Sequence, residues 1–374
     1  MFEKNFLAAA VVSAFALPMA ASAEDAKPAA PAVPNLSQIL DSSGISLSGY
    51  IDTAYSRANR DIEATAGTGG RVFDAQNNSF VLHQLGLTVA KQPKEGFGGL
   101  VNVTAGKDAE IINIADGTGG SNPSTFNLTQ AFVQYATGSL TVMAGKLLTL
   151  QGTEVIAPAS DVNFSRSLLF FGEPVTHTGL RGTYAINDKI SLTAGLNNGI
   201  ASSVKDNNKG KTLELGATII PIKPLSISIS NLSGKEGPTG SDANRNSFNA
   251  LASYAVIEPL TLGVEYLSVS QKVPGAATQK YSGVAGYVTY MITPKWRGAL
   301  RTEWVKDADG LFLGTVDNKF KETTFTLSYL ASDSFEVRGE IRGDRSDKDF
   351  YPDSGSGALN KSLTTYAFEG IYKF

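Results

Sequence analysis

WRGALRTEW, residues 296–304, sets Trp296, Leu300 and Trp304 on one face of an extended strand and Arg297, Arg301 and Glu303 on the other. Successive side chains along a strand point to opposite sides, so the two sets meet different surroundings. Eight residues separate the tryptophans, and at ~3.3 Å each they span roughly 26 Å of strand. Tilted near ~40°, that is about 20 Å along a bilayer normal, close to the separation of two interfacial aromatic girdles. The end of the chain repeats the spacing. In TYAFEGIYKF, residues 365–374, Tyr366, Phe368, Tyr372 and Phe374 share one face. These five girdle candidates (Trp296, Trp304, Tyr366, Tyr372 and Phe374) are expected at the lipid interface.

Period-two alternation begins at Ile45 and runs to the last residue. Sixteen segments carry it: 45–58, 79–91, 97–108, 126–137, 140–150, 175–186, 189–198, 211–220, 225–231, 247–257, 260–271, 280–292, 295–306, 320–330, 334–343 and 363–374. Most have the length of a tilted membrane-crossing strand, roughly 9–11 residues. Short turns such as 138–139, 187–188 and 293–294 alternate with long Gly/Ser/Asn/Asp-rich loops such as 59–78, 151–174 and 344–362. That alternation predicts an all-β, antiparallel up-and-down transmembrane barrel over 45–374, with short periplasmic turns, long extracellular loops and both termini on the periplasmic side. A β-sandwich also alternates, with its apolar face turned to a core. The girdle spacing is what favours the barrel.

The N-terminus agrees with export. Lys4 precedes an apolar run at 6–20 broken by Ser13, and Ala21-Ser22-Ala23 is a small-x-small cleavage signal. Residues 1–23 read as a signal peptide and 24–44 as a periplasmic Ala/Pro-rich tether with one or two helical turns near 35–43. The mature chain has no apolar run long enough for a membrane helix. It has no Cys, a net charge of −3 and two distant histidines, His83 and His177. A thiolate metal site and a basic nucleic-acid surface are thereby excluded. Neither histidine has a nucleophile and an acid beside it on its own strand face, so both read as solvated and no catalytic, metal or cofactor site is expected.

Two stretches, LSQILDSSGISLSGYIDTAY at 36–55 and NFSRSLLFFGEPVTHTG at 163–179, the latter followed by LNNG at 196–199, resemble the putative beta-barrel porin-2 (OmpL-like) family of bacterial outer-membrane porins. The resemblance runs through the mature barrel and implies passive diffusion without naming a solute. The terminal aromatic Phe374 likewise resembles the signal read by the outer-membrane assembly machinery.

By resemblance to sixteen-stranded porins, loop 151–174 is expected to fold inward and narrow the pore. It carries Glu154, Asp161, Arg166 and Glu173 and an apolar stretch at 168–171. Arg181, Arg297, Arg301, Glu303, Glu336, Arg338, Glu340 and Arg342 fall on the polar phase of their strands. Loop acid facing wall base is expected to set a transverse field across the constriction. Two function classes stand: a water-filled channel for small hydrophilic solutes and ions, or a structural or adhesive barrel with a closed pore and binding loops. Outer-membrane lipid is the expected surrounding, and the sequence leaves monomer and homotrimer open. The export reading predicts a mature chain that starts at Glu24, to be checked by N-terminal sequencing of protein from the cell envelope; a start at Met1 overturns it.

Overall fold

Alternation fixes which face each strand turns outward, and pairing then fixes its neighbours. The structure, a computed structural model, describes residues 40, 42–63, 70–117, 123–200, 206, 208–237, 242–353 and 355–374. The signal-peptide reading at 1–23 and most of the tether at 24–44 lie outside these residues. Residues 40, 42 and 43 are helical, at the end of the expected turns.

The first half holds β1 (Ser46–Ala58), β2 (Ser79–Lys91), β3 (Gly96–Ala105), α1 (Lys107–Ala115), β4 (Phe126–Thr137), β5 (Leu140–Leu148), α2 (Leu168–Gly172), β6 (Thr176–Ala185), β7 (Ile190–Asn197) and β8 (Thr212–Ile222). The second holds β9 (Leu225–Glu236), β10 (Ala243–Ile257), β11 (Leu260–Lys272), β12 (Gln279–Thr293), β13 (Trp296–Asp309), β14 (Val316–Ser332) and β15 (Phe335–Ser346). A short ribbon, β16 (Tyr351–Pro352) with β17 (Leu359–Asn360), precedes β18 (Ser362–Lys373). β1 to β15 and β18 pair with their neighbours, all antiparallel, and β18 closes on β1. The result is a closed sixteen-stranded barrel, and closure removes every free sheet edge, as a lipid environment demands.

Several strands outrun the expected segments. The alternating reading stops β9 at 231 and starts β10 at 247, yet Glu236 pairs with Ala243 and Lys235 with Asn244. These ends project past the apolar band, where both faces meet polar surroundings and the alternation fades. β3 stops at Ala105, short of the expected 97–108, and α1 takes the end of that segment and the start of the expected loop 109–125.

The two faces differ sharply. Trp296, Leu300, Trp304, Tyr366, Phe368, Tyr372 and Phe374 are exposed, while Arg301, Glu303, Glu322, Arg338 and Arg342 inside the barrel are buried. A water-soluble sandwich has the reverse arrangement. The seam is finished by the last residue: Phe374 N donates to Gly49 O (2.9 Å) and Gly49 N to Phe374 O (2.8 Å). A Cβ on Gly49 would stand 2.5 Å from Cζ of the Phe374 ring, so the ring covers a site that only glycine leaves open.

Leu300→Arg puts a charge near the bilayer midplane and should cost roughly 2–4 kcal/mol in denaturant unfolding from lipid vesicles. A silent substitution would mean that this face does not meet lipid. Deleting Phe374 should lower the fraction of heat-modifiable folded barrel; unchanged assembly would show that the seam does not depend on it.

Candidate functional site

A loop inside a barrel has a problem that an external loop lacks: its backbone N–H and C=O groups lose water and need new partners. Residues 149–175 solve it against the barrel wall. As β5 ends, Leu148 O accepts from Arg181 Nη2 (2.8 Å). The Gln151 amide donates to Ser247 O on β10 (3.0 Å), and Ser247 Oγ donates back to Gln151 Oε1 (2.7 Å). Thr153 N donates to Glu265 Oε2 on β11 (3.0 Å). The chain then crosses the bore. Ile156 O accepts from Gln84 Nε2 on β2 (3.0 Å), and Arg338 Nη2 on β15 donates to Pro158 O (3.2 Å) and Asp161 O (2.7 Å).

On its return the loop is held by carboxylates. Glu340 accepts from Phe164 N (2.8 Å) and Ser165 N (3.0 Å). Glu303 accepts from Leu168 N (2.7 Å) and Leu169 N (3.1 Å) at the start of α2, and Ser167 Oγ caps the same turn by accepting from Phe170 N (3.0 Å). Leu168 and Leu169 bury against Leu267, Val305 and Phe320 of the wall. Tyr281 OH donates to Gly172 O (2.5 Å), and Asn249 Nδ2 donates to Glu173 Oε1 (2.9 Å) as the chain reaches β6.

The sequence-derived site residues fall into four groups. Glu154 is the one loop acid that meets a wall base, pairing with Arg301 Nη1 at 2.5 Å. Asp161 instead pairs with Arg166 of its own loop (2.9 Å), and burial pushes its carboxyl up to about 7 against the pull of Arg166. Arg166 also turns inward, donating to Val155 O, Phe164 O and Ile156 O. The wall bases find partners on neighbouring strands. Arg181 forks onto Glu214 (2.8 and 2.7 Å), Arg297 pairs with Glu336, Arg338 joins Glu336 (2.7 Å) to Glu369 (3.1 Å), and Arg342 pairs with Asp344 (2.7 Å). The arrangement is therefore a charge mesh to which residues 149–175, among the described residues, contribute one ion pair with the wall, because a charge removed from water needs a close counter-charge.

Glu173 differs from the rest. Its carboxyl faces Glu265, with Asn249 Nδ2 donating to both (2.9 and 2.7 Å). Desolvation first, and then the Glu265 carboxyl, hold it well above the usual carboxylate range.

Three features escape the sequence reading. α1 folds into the bore, burying Ala109 and Ile112. Both histidines are buried rather than solvated: His83 Nδ1 lies 2.9 Å from Asp108 Oδ1 on α1, an acid that its own strand does not supply. Asp116 at the end of α1 pairs with Lys146 and accepts from Thr176 Oγ1 (2.5 Å) and Asn127 Nδ2 (3.0 Å). Asp108 and Asp116 bracket an apolar stretch, and that is the one signal the sequence offers. Among the described residues no group of three or more His, Cys, Asp or Glu is placed to hold a metal ion.

Space remains beside the loop. A cavity of about 280 Å³ lies between Phe171, Glu173, Arg245, Tyr281 and Phe312. A smaller one, about 90 Å³, lies among Leu150, Gln151, Glu154, Phe170 and Pro174. Both touch Glu173 and Pro174. On the opposite wall, Ser191, Thr193, Thr218, Ser226 and Ser228 line the inner face half-exposed.

The architecture has many solved counterparts. The outer-membrane expressed OmpT of Vibrio cholerae matches with a TM-score of 0.61 at 13% identity, covering 88% of this chain and 97% of that one. The outer membrane channel DcaP of Acinetobacter baumannii gives 0.61 at 15% identity over 88% and 97% of the two chains. An anion-selective porin from Comamonas acidovorans gives 0.62 at 12% over 88% and 99%. At such identities the likeness shows the fold alone. No curated protein sequence matches the chain. The sequence model of one family does match, over residues 44–374, the whole barrel from just before β1 to the final Phe374. The chain belongs to the putative beta-barrel porin-2, OmpL-like family, and is an outer-membrane β-barrel of the channel type rather than an enzyme.

Proposed function

We propose that the protein lets small hydrophilic solutes and ions diffuse passively through a narrow, water-filled path beside the inward loop. The observation that carries this reading is the crossing of the bore by residues 149–175, which turns a wide barrel into a restricted one while leaving cavities that meet at Glu173. On this reading the twelve charged residues named from the sequence divide. Glu173 borders both cavities, Glu154 borders the smaller one while pairing with Arg301, and the other ten hold the loop or stiffen the wall. Export through residues 1–23, a periplasmic tether at 24–44, and assembly through the C-terminal strand belong to the same proposal. So does a homotrimer; a trimer form is known for OmpT of Vibrio cholerae.

A second reading, a closed barrel whose external loops adhere to a partner, draws on the extent of that crossing, since the loop bonds to β2 on one side and β10 on the other. Planar-bilayer conductance separates the two. Deleting residues 156–166 should raise single-channel conductance several-fold, because it removes the segment that crosses the bore. A conducting channel indifferent to the deletion would place the restriction elsewhere, and no conductance before or after it would favour the closed barrel.

Selectivity should follow pH through Glu173. Its raised carboxyl is neutral below its pKa and gains a negative charge as pH rises through it. Cation preference, read as reversal potential in a salt gradient, should therefore increase at pH values above the ordinary Glu range of ~4.3. Glu173→Gln should abolish that step; a step that persists in the variant assigns it to another group. Arg301→Met leaves Glu154, Glu303 and Glu322 without their shared cation. It should destabilise the folded barrel by roughly 3–5 kcal/mol in denaturant unfolding, and an unchanged midpoint would show that the loop is held by other contacts.

A further inference from the structure

Inside the barrel most charges have a close counter-charge, but on one sector of the outer face four cations have no ion-pair partner among the described residues. β13, β14 and β15 place Lys306, Lys319, Lys321 and Arg345 on the lipid-facing phase near the long-loop end, and all four are exposed. The register sets Lys306 directly opposite Lys319 and Lys321 directly opposite Arg345. Directly opposed side chains stand about 4.5–5.5 Å apart at Cβ, and like charges there destabilise a sheet. Among the described residues no ion pair joins any of the four to a carboxylate; Asp347 stands opposite Lys319, its N–H donating to Lys319 O (3.0 Å), but its carboxylate makes no ion pair with it. A solvated basic face would explain the exposure, but not the stacking of two like-charged pairs on adjoining ladders.

Two further observations point to a lipid. Trp304 lies two residues before Lys306 on the same face and opposite Lys321. It marks the membrane interface, which puts Lys321 and Arg345 at the interface and Lys306 and Lys319 at the headgroup level roughly 5 Å beyond it. Beside Trp304 the outer wall also has a depression of about 250 Å³. Tyr266, Val284 and Trp304 wall it, the short Ser282 side chain leaves it open, and Lys306, Lys319 and Lys321 rim it. An apolar trough below a cluster of uncompensated cations matches a phosphorylated, acylated amphiphile.

We propose that this outer face of β12–β15 binds a diphosphorylated, multiply acylated lipid of the outer leaflet. One phosphate sits between Lys306 and Lys319, the other between Lys321 and Arg345, and one acyl chain lies in the trough against Trp304. The bound phosphates remove the repulsion within each pair.

The test uses the full mature barrel in phosphatidylcholine nanodiscs doped with hexa-acyl diphosphoryl lipid A, with retained lipid counted by native mass spectrometry. Each cation beside an anionic lipid is worth several-fold in affinity. Lys306→Gln/Lys319→Gln/Lys321→Gln should therefore lower retention by at least about tenfold, and the corresponding triple Arg variant should restore it. Trp304→Ala should weaken retention with the phosphates untouched. Folding is read independently from heat-modifiable migration, and if the triple Gln variant fails to fold, Lys319→Gln alone serves. Equal retention by wild type and Gln variants overturns the proposal. Full displacement of the lipid by an equimolar concentration of inorganic phosphate also overturns it, because the site would then be one for free phosphate.

Discussion

The peptide groups of a loop that leaves water must each find a partner, and the interior of this barrel is organised around that requirement. Residues 149–175 form no regular sheet of their own, so their amides have no ladder to join. The wall supplies acceptors as carboxylates, two of them at positions where two successive N–H groups converge: Glu340 under Phe164 and Ser165, and Glu303 under Leu168 and Leu169. It supplies donors as guanidinium groups: Arg338 to Pro158 and Asp161, Arg342 to Arg166. Charged acceptors and donors make the stronger hydrogen bonds, which suits a loop with little backbone bonding of its own.

That choice creates a second requirement. Accepting from backbone amides does not neutralise a carboxylate, and in a poorly solvated interior a carboxylate charge needs compensation. The strands answer with alternating acid and base on the inner phase. Arg301 sits among Glu154, Glu303 and Glu322, and Arg342 among Asp344, Glu322 and Asp74. The mesh is dense because the loop needs it. Of the acids on loop 151–174 expected to face wall base, Glu154 alone makes an ion pair with the wall, at Arg301. The charges were correctly placed on the inner face, but their partners were on adjoining strands, which a strand-by-strand reading does not see.

Legibility divides along the same line. Whatever depends on neighbours within one strand was readable: the faces of Trp296, Leu300 and Arg301, the aromatic end at Phe374, and sixteen segments that each became a barrel strand. Strand ends beyond the apolar band were not, since Lys235 and Asn244 pair by backbone alone and carry no alternation. Contacts between distant segments were invisible. Glu340 and Phe164 are 176 residues apart, and His83 gains Asp108 only because α1 folds back under β2. The apolar stretch at 168–171 was legible as something to be buried, but its docking site at Leu267, Val305 and Phe320 emerges only once β11 to β14 stand side by side.

The two sides of the inner wall now acquire different work. β13 to β15 present buried charges that are consumed in holding the loop, whereas β7 to β9 present half-exposed hydroxyls at Ser191, Thr193, Thr218, Ser226 and Ser228. Hydroxyls both donate and accept, and they rotate to suit, so they lose little when one water or solute replaces another. A wall of fixed ion pairs offers no such exchange, because its donors and acceptors already have partners. On the proposed route a solute therefore passes between a rigid, self-satisfied loop and a hydroxyl-lined wall, with Glu173, Glu236 and Arg245 as the charged groups bordering the larger cavity on that passage. Such a lining discriminates weakly among small hydrophilic molecules and strongly against bulky ones, which is the behaviour that a restricted diffusion channel requires.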